Sequence, residues 1–230
     1  LRILCHCTQF SLYSNSDKVS LTIYYESLCP DSIKFFKDQL SPTYSSLKDH
    51  VSLKFIPFGK GTQTITNGTF SFTCHHGETE CYGNIVQACA VKIYYGEDVY
   101  KIVDCLMTEV DPKTVTNQTY PTVTCLQKLD LQQTKLDECI HGINGLQYLS
   151  DMANTTARLN PELKSVPSIA VNMRFDYSES QSAVSDLKNF VCKKLKDSNK
   201  KVKECNGSAI VTSSVVLLAL SSILSAFISS

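Results

Sequence analysis

The sequence predicts an α/β domain split by a long, disulfide-rich and mainly helical insertion, and three observations carry that prediction. A β-branched and aromatic run, Val19-Ser-Leu-Thr-Ile-Tyr-Tyr25, feeds a segment in which Ile33, Phe35, Phe36 and Leu40 recur at helical spacing, and a second strand-like run follows at 51–57. A strand and a helix that complete the pattern come only far downstream, near 166–172 and 181–196. Between the two halves lie six of the 11 cysteines.

In chain order, strand 19–25 runs into Glu26-Ser-Leu-Cys29-Pro30-Asp31-Ser32, where Pro30 falls in the first turn of the predicted helix, a position at which its missing N–H costs nothing. Strand, helix and strand 51–57 make a right-handed parallel βαβ unit, the opening half of a thioredoxin-like fold. The insertion spans about 59–161, and its segments 85–95, 101–107, 129–139 and 143–158 read mostly as helices. The closing half is expected as strand 166–172, a short strand 174–177 and a helix 181–196. The core domain is accordingly placed at 17–205.

The cysteine count points to an oxidising compartment. Four sequons, at Asn67, Asn117, Asn154 and Asn206, point the same way as candidate N-glycosylation sites. Lys plus Arg and Asp plus Glu balance at 22 each, so no global field draws nucleic acid to the chain, and no nucleic-acid partner is expected. The basic cluster 193–203 reads as a solvated helix face.

Residues 1–12 resemble the end of a secretory apolar region and 13–17 are polar. Residues 1–16 thus read as a signal-peptide remnant or as an N-terminal extension in which Cys5 and Cys7 find partners. At the other end, 209–228 is an uncharged run long enough to cross a hydrocarbon core of ~30 Å as a helix. It ends Phe227-Ile228-Ser229-Ser230 without a basic flank, which favours a cleaved signal. Small residues at Asn206, Gly207 and Ser208 ahead of that run fit GPI attachment with Asn206 as the candidate site, a retained membrane helix being the alternative for 206–230.

One motif is specific. Cys74-His75-His76-Gly77-Glu78-Thr79-Glu80-Cys81-Tyr82-Gly83-Asn84, closing on Cys89, resembles the signature C-Q-H-G-x-x-E-C-x-x-N-x-x-x-x-C of the gamma-interferon-inducible lysosomal thiol reductase family. Cys74, His76, Gly77, Glu80, Cys81, Asn84 and Cys89 match, and His75 stands where the family has Gln. Read without the family, Cys74, His75, His76, Cys81 and Cys89 suggest zinc, but structural zinc usually shows paired C-x-x-C or H-x-x-x-H spacing. Disulfides are the better reading, and no metal is expected. Gly77 suits a left-handed turn before a helix whose N-terminal dipole Glu78 and Glu80 favour.

The resemblance implies a thiol-disulfide oxidoreductase acting on protein disulfides, in a lysosomal or other secretory setting. Cys29 takes the place of the nucleophile, at a helix N-terminus where the dipole and free N–H groups favour a thiolate. Ser32 stands at the position of the resolving cysteine and forms no disulfide, so an external thiol, glutathione or cysteine, or a cysteine elsewhere in this chain is needed to complete a cycle, with no other cofactor. Asp31 opposes the thiolate by its charge, whereas the Ser32 hydroxyl is placed to donate to it. The resemblance also assigns Pro167, after Val166, to the cis-proline loop. Setting aside Cys5, Cys7 and Cys29 leaves Cys74, Cys81, Cys89, Cys105, Cys125, Cys139, Cys192 and Cys205, an even set for structural disulfides of unassigned connectivity. Three readings stay open: a single-cysteine reductase, a binding protein on the same fold that has lost catalysis, and a scaffold in which Cys29 is itself bonded.

Overall fold

The structure, a computed structural model, describes residues 18–206. The signal-peptide reading of 1–16, Cys5, Cys7 and the apolar run 209–228 lie outside the described residues. Within them no helix is long and apolar enough to cross a membrane.

Strand β1 (Val19–Tyr25) leads through the turn 26–29 into a continuous helical run made of α1 (Pro30–Phe35), a π-helical turn (Phe36–Leu40) and α2 (Ser41–Leu47), followed by β2 (Val51–Pro57). The insertion opens with a hairpin, β3 (Thr62–Thr66) and β4 (Thr69–Thr73), and continues as α3 (Glu78–Ile93), α4 (Glu97–Glu109), α5 (Thr122–Lys128), α6 (Thr134–His141) and α7 (Ile143–Ala157). The closing half is β5 (Ser168–Val171), α8 (Tyr177–Ser185) and α9 (Leu187–Asp197).

β1 is the middle strand of a three-stranded sheet, with β2 parallel to it (Val19 opposite Val51, Tyr25 opposite Pro57) and β5 antiparallel (Leu21 opposite Val171, Tyr24 opposite Ser168). Because strand side chains alternate between faces, each face gathers its own core. Leu21, Ile23, Tyr25, Phe55, Ile169 and Val171 pack with Phe36, Leu40 and Leu47 of the first helical run and with Leu187 and Val191 of α9. Tyr24, Ile56 and Ala170 pack with Ala88 of α3 and Leu149, Met152 and Ala153 of α7. Burial on both faces is why β1 is buried almost throughout, whereas β2 is buried on both faces only over its last three residues, with Ser52 and Lys54 exposed nearer its start.

Four disulfides pin the periphery to this frame. Cys74–Cys81 closes the loop before α3, Cys89–Cys139 ties α3 to α6, Cys105–Cys125 ties α4 to α5, and Cys192–Cys205 ties α9 to the 3-10 turn Lys203–Cys205. A bridge stabilises mainly by restricting the unfolded chain, and more for a longer loop. Replacing both Cys89 and Cys139, 50 residues apart, by Ala is expected to cost about 4 kcal/mol, against about 2.5 for the Cys74 and Cys81 pair, 7 apart. Urea unfolding of the two double variants measures the difference, and equal losses would contradict this ordering.

Several expectations are corrected. Residues 174–177 form no strand: Asn172 and Met173 turn the chain with φ of 49° and 66°, Arg174 makes one bridge back to Val171, and Asp176 then caps α8 by accepting the Glu179 N–H. The closing helix expected over 181–196 is two helices, broken where the Asp186 side chain accepts the Asn189 N–H and starts α9. The helix expected over 129–139 begins only at Thr134, since Leu129 caps α5 and Asp130 turns with φ 53°. The hairpin β3–β4 was not expected. Its turn is Asn67-Gly68, both at positive φ (51° and 78°), a pair suited to a two-residue hairpin turn.

Candidate active site

The site is built where β1 ends. Glu26 and Ser27, both buried, and Leu28 form a turn in which the Cys29 N–H bonds the Glu26 carbonyl at 3.3 Å. Cys29 is the N-cap of α1, Pro30 follows at the first helical position, and the Cys29 carbonyl accepts the Ile33 N–H at 3.0 Å. The Cys29 side chain therefore sits at the N-terminal, positive end of the helical run 30–47.

Cys29 is the one free cysteine among the described residues. Its Sγ lies 3.9 Å from the carbonyl oxygen of Val166, and the Val166–Pro167 peptide bond is cis. Cys29 and Val166, 137 positions apart in the chain, thus meet through β5 beside β1. Cys29 is buried, the residue as a whole being 7% exposed. Alongside runs a groove of about 710 Å³, walled by Asp31, Lys34 and Phe35 of α1 and by Lys164, Val166 and Pro167.

Ser32 is fully buried one helical turn beyond Cys29, and its hydroxyl oxygen accepts the Glu26 N–H at 3.4 Å. It thereby braces the turn from within. Asp31 is exposed at the groove.

The signature residues do not carry the thiol, but they grip the turn that does. The Asn84 side-chain oxygen accepts the Ser27 N–H at 2.9 Å, and the Ser27 hydroxyl donates to the Glu80 carbonyl at 3.0 Å. His76 bonds Glu80 twice, its backbone N–H reaching Oε1 at 3.0 Å and its Nδ1 lying 2.6 Å from Oε2. Gly77 is the N-cap of α3 with φ 86°. Cys74 and Cys81 bridge each other and Cys89 bridges Cys139, so the cysteine-rich zinc set has no sulfur to offer.

Burial pushes the Glu26 carboxyl up from its ordinary range, and Glu80 nearby adds to this; the Lys60 N–H, bonded to Glu26 Oε1 at 2.7 Å, and the two imidazoles oppose it.

Three residues that sequence reasoning gave no role belong to this support. Glu26 and Ser27 are polar side chains set directly between an apolar strand and the thiol, a placement that itself was the available signal. Gly83 is the third: a Cβ there would lie 2.5 Å from the Ser27 Oγ and 2.6 Å from the Tyr120 ring. Gly83→Ala is expected to cost about 1–3 kcal/mol through overpacking and, by displacing Ser27, to slow alkylation of Cys29 or expose it. Thermal unfolding and the rate of iodoacetamide labelling check this, and a variant with unchanged stability and labelling would contradict it.

Asn67, Asn117, Asn154 and Asn206 are all exposed, Asn67 in the hairpin turn and Asn154 on α7, where its Oδ1 accepts a bond from Gln63 at 2.8 Å. Lys193, Lys196, Lys201 and Lys203 are exposed as well.

Residues 20–143 match the family profile described as gamma interferon inducible lysosomal thiol reductase (GILT). The chain is 36% identical over 189 residues to the gamma-interferon-inducible lysosomal thiol reductase-like protein of Anopheles gambiae, covering 77% of each. It is 33% identical over 237 residues to GILT-like protein 1 of Drosophila melanogaster, covering 96% of this chain and 93% of that one. Among solved structures it resembles oxidised BdbD of Bacillus subtilis, with a TM-score of 0.54 at 12% identity over 84% of this chain and 90% of that one. At that identity the likeness speaks to the fold alone, which is thioredoxin-like with a disulfide-rich helical insertion.

Proposed function

The chain belongs to the gamma-interferon-inducible lysosomal thiol reductase family, and from that premise we propose that it reduces protein disulfides through Cys29 alone, with an external thiol in place of a resolving cysteine. The observation that supports this best is the placement of the free Cys29 thiol at a helix start and against the Val166 carbonyl that precedes Pro167.

In the first step the Cys29 thiolate attacks one sulfur of a substrate disulfide. A Cys29–substrate bond forms, the substrate S–S bond breaks, and the other substrate sulfur leaves as a thiolate and takes a proton. A molecule of glutathione or cysteine then attacks the Cys29 sulfur and releases the second substrate thiol. A second molecule attacks the resulting Cys29 adduct, returning the Cys29 thiolate and leaving the small thiol as its disulfide. Two external thiols are oxidised for each substrate disulfide reduced. The groove along Pro167 would seat the substrate strand.

Insulin reduction by the purified chain tests this. Reduction should depend on added glutathione or cysteine and exceed the rate with that thiol alone. No enhancement at acid or neutral pH would refute the reading.

A second reading, a binding protein that keeps the fold without turnover, is favoured by the 7% exposure of Cys29 and by Ser32 in place of a second cysteine. The reading in which Cys29 is held in a disulfide of the core domain is not supported, since each of the other described cysteines already has a partner.

The four disulfides and the exposed sequons support passage through the secretory pathway, to the cell surface or to a lysosome-type compartment. Peptide N-glycosidase is expected to lower the apparent mass of the protein from cells, and phospholipase C specific for phosphatidylinositol to release it if Asn206 carries a GPI anchor. Unchanged mass would argue against the glycan assignment.

A further inference from the structure

We propose that Glu26, His76 and Glu80 form a binding site for a zinc-type divalent cation, at the seam between the turn that carries Cys29 and the loop that opens α3.

Their donor atoms all lie within 4.8 Å of one another. The two carboxylates are arranged alike. One oxygen of each is fixed by a backbone N–H, Glu26 Oε1 by Lys60 at 2.7 Å and Glu80 Oε1 by His76 at 3.0 Å. The other oxygen, Oε2, is turned toward the His76 ring, at 3.5 Å from Nδ1 for Glu26 and 2.6 Å for Glu80. Ligating carboxylates are typically oriented by such outer bonds.

Glu26 Oε2 is the decisive atom. Its side chain is 1% exposed, and this oxygen has no hydrogen-bond partner. A buried carboxylate oxygen left so is costly, and an ion is one of the few things that explains it. The nearest cationic candidates are the His76 Nδ1 and the His75 Nδ1, the latter at 3.8 Å.

The donor set selects the metal. One imidazole nitrogen with two carboxylate oxygens suits zinc in four-coordinate geometry, whereas calcium asks for six to eight oxygens and magnesium for an octahedron of them. Bonds of about 2.0–2.1 Å place tetrahedral ligands roughly 3.3 Å apart. The Glu26–His76 spacing already meets that, and the His76–Glu80 contact has to open as the metal enters. His75, with its side chain 52% exposed at the mouth of the site, or a water, supplies the fourth ligand. Two carboxylates offset the charge of the ion. No cysteine takes part, so the site stands apart from the thiol chemistry proposed above.

The test uses the full chain, purified in mild detergent, with free thiols alkylated to remove thiolate competition and zinc chloride as the probe. Metal analysis after dialysis should find one zinc per chain. X-ray absorption should show a shell of nitrogen and oxygen with imidazole scattering and no sulfur. Glu26→Gln and His76→Ala should each weaken binding by at least about tenfold, and His75→Ala by less. Failure of the wild-type chain to retain zinc, a shell containing sulfur, or equal retention by folded Glu26→Gln and His76→Ala would overturn the proposal. Should either variant fail to fold, the wild-type absorption spectrum decides alone.

Discussion

Cys29→Ala is expected to bring insulin reduction down to the rate of the external thiol by itself, a loss of the whole enzymatic increment rather than a fraction of it. The reason is that the remaining described cysteines are committed: Cys74, Cys81, Cys89, Cys105, Cys125, Cys139, Cys192 and Cys205 lie in four disulfides, and Cys29 is the one left to attack. The fold should tolerate the change. Cys29 contributes a small side chain at the N-cap and makes no capping bond with it, so the thermal midpoint should shift little while activity disappears. Residual activity in a folded Cys29→Ala variant would move the nucleophile elsewhere and refute the mechanism.

Ser32→Cys is expected to act in the opposite direction. Position 32 is one helical turn beyond Cys29 and fully buried, so a thiol there meets the mixed disulfide without having to diffuse to it. Groups oriented within one molecule react as though at concentrations far above the millimolar thiol of an assay, so release of substrate from the mixed disulfide should speed up on the order of 10²-fold or more, read in a single turnover of the reduced variant, with external thiol then reducing the 29–32 disulfide for the next round. Oxidised variant should also run as a closed 29–32 disulfide, detectable by its failure to alkylate at either position. A complication is the bond that Ser32 accepts from the Glu26 N–H at 3.4 Å; sulfur is a weak acceptor, so some stability should be lost as activity is gained. If Ser32→Cys alone is active and the natural chain is not, the binding-protein reading takes precedence.

Much of this site could be read from the residues. β1 is legible because burial on both faces leaves an aromatic and β-branched run, β2 because apolar and polar residues alternate into a buried apolar end, and the helix after Cys29 because Pro30 and the spacing of Ile33, Phe36 and Leu40 agree. The eight cysteines that pair were separable from Cys29 by parity, but their connectivity was not, because Cys89 reaches Cys139 across 50 residues through the packing of α3 on α6, a tertiary fact. Helix boundaries failed where a short polar side chain competed for the backbone: Asp176 and Asp186 each start a helix that periodicity alone would merge or misplace. Asn67-Gly68 carries two signals at once, the start of a sequon and a two-residue hairpin turn, and the structure shows the turn. The grip of Asn84 and Glu80 on Ser27 joins residues more than fifty positions apart and has no local pattern to betray it.

The π-helical turn Phe36–Leu40 belongs with these. It places Phe36 against Tyr25 and Phe55, at ring centroid distances of 5.0 and 6.0 Å, and so locks the helix bearing Cys29 onto the two strands. Aromatic pairs of this geometry add roughly 0.5–1.5 kcal/mol beyond their buried area. The thiol is therefore held by a rigid frame on the sheet side and by the signature on the insertion side.

The most direct measurement of the central claim is intact-mass and peptide mass spectrometry of the reduced-thiol chain after brief exposure to oxidised glutathione or a disulfide-bonded peptide. A single adduct on Cys29, formed by the wild-type chain and removed by added glutathione, is the predicted result. An unmodified Cys29 under conditions where the chain stays folded would contradict a nucleophilic role for this thiol and leave the fold as a binding surface.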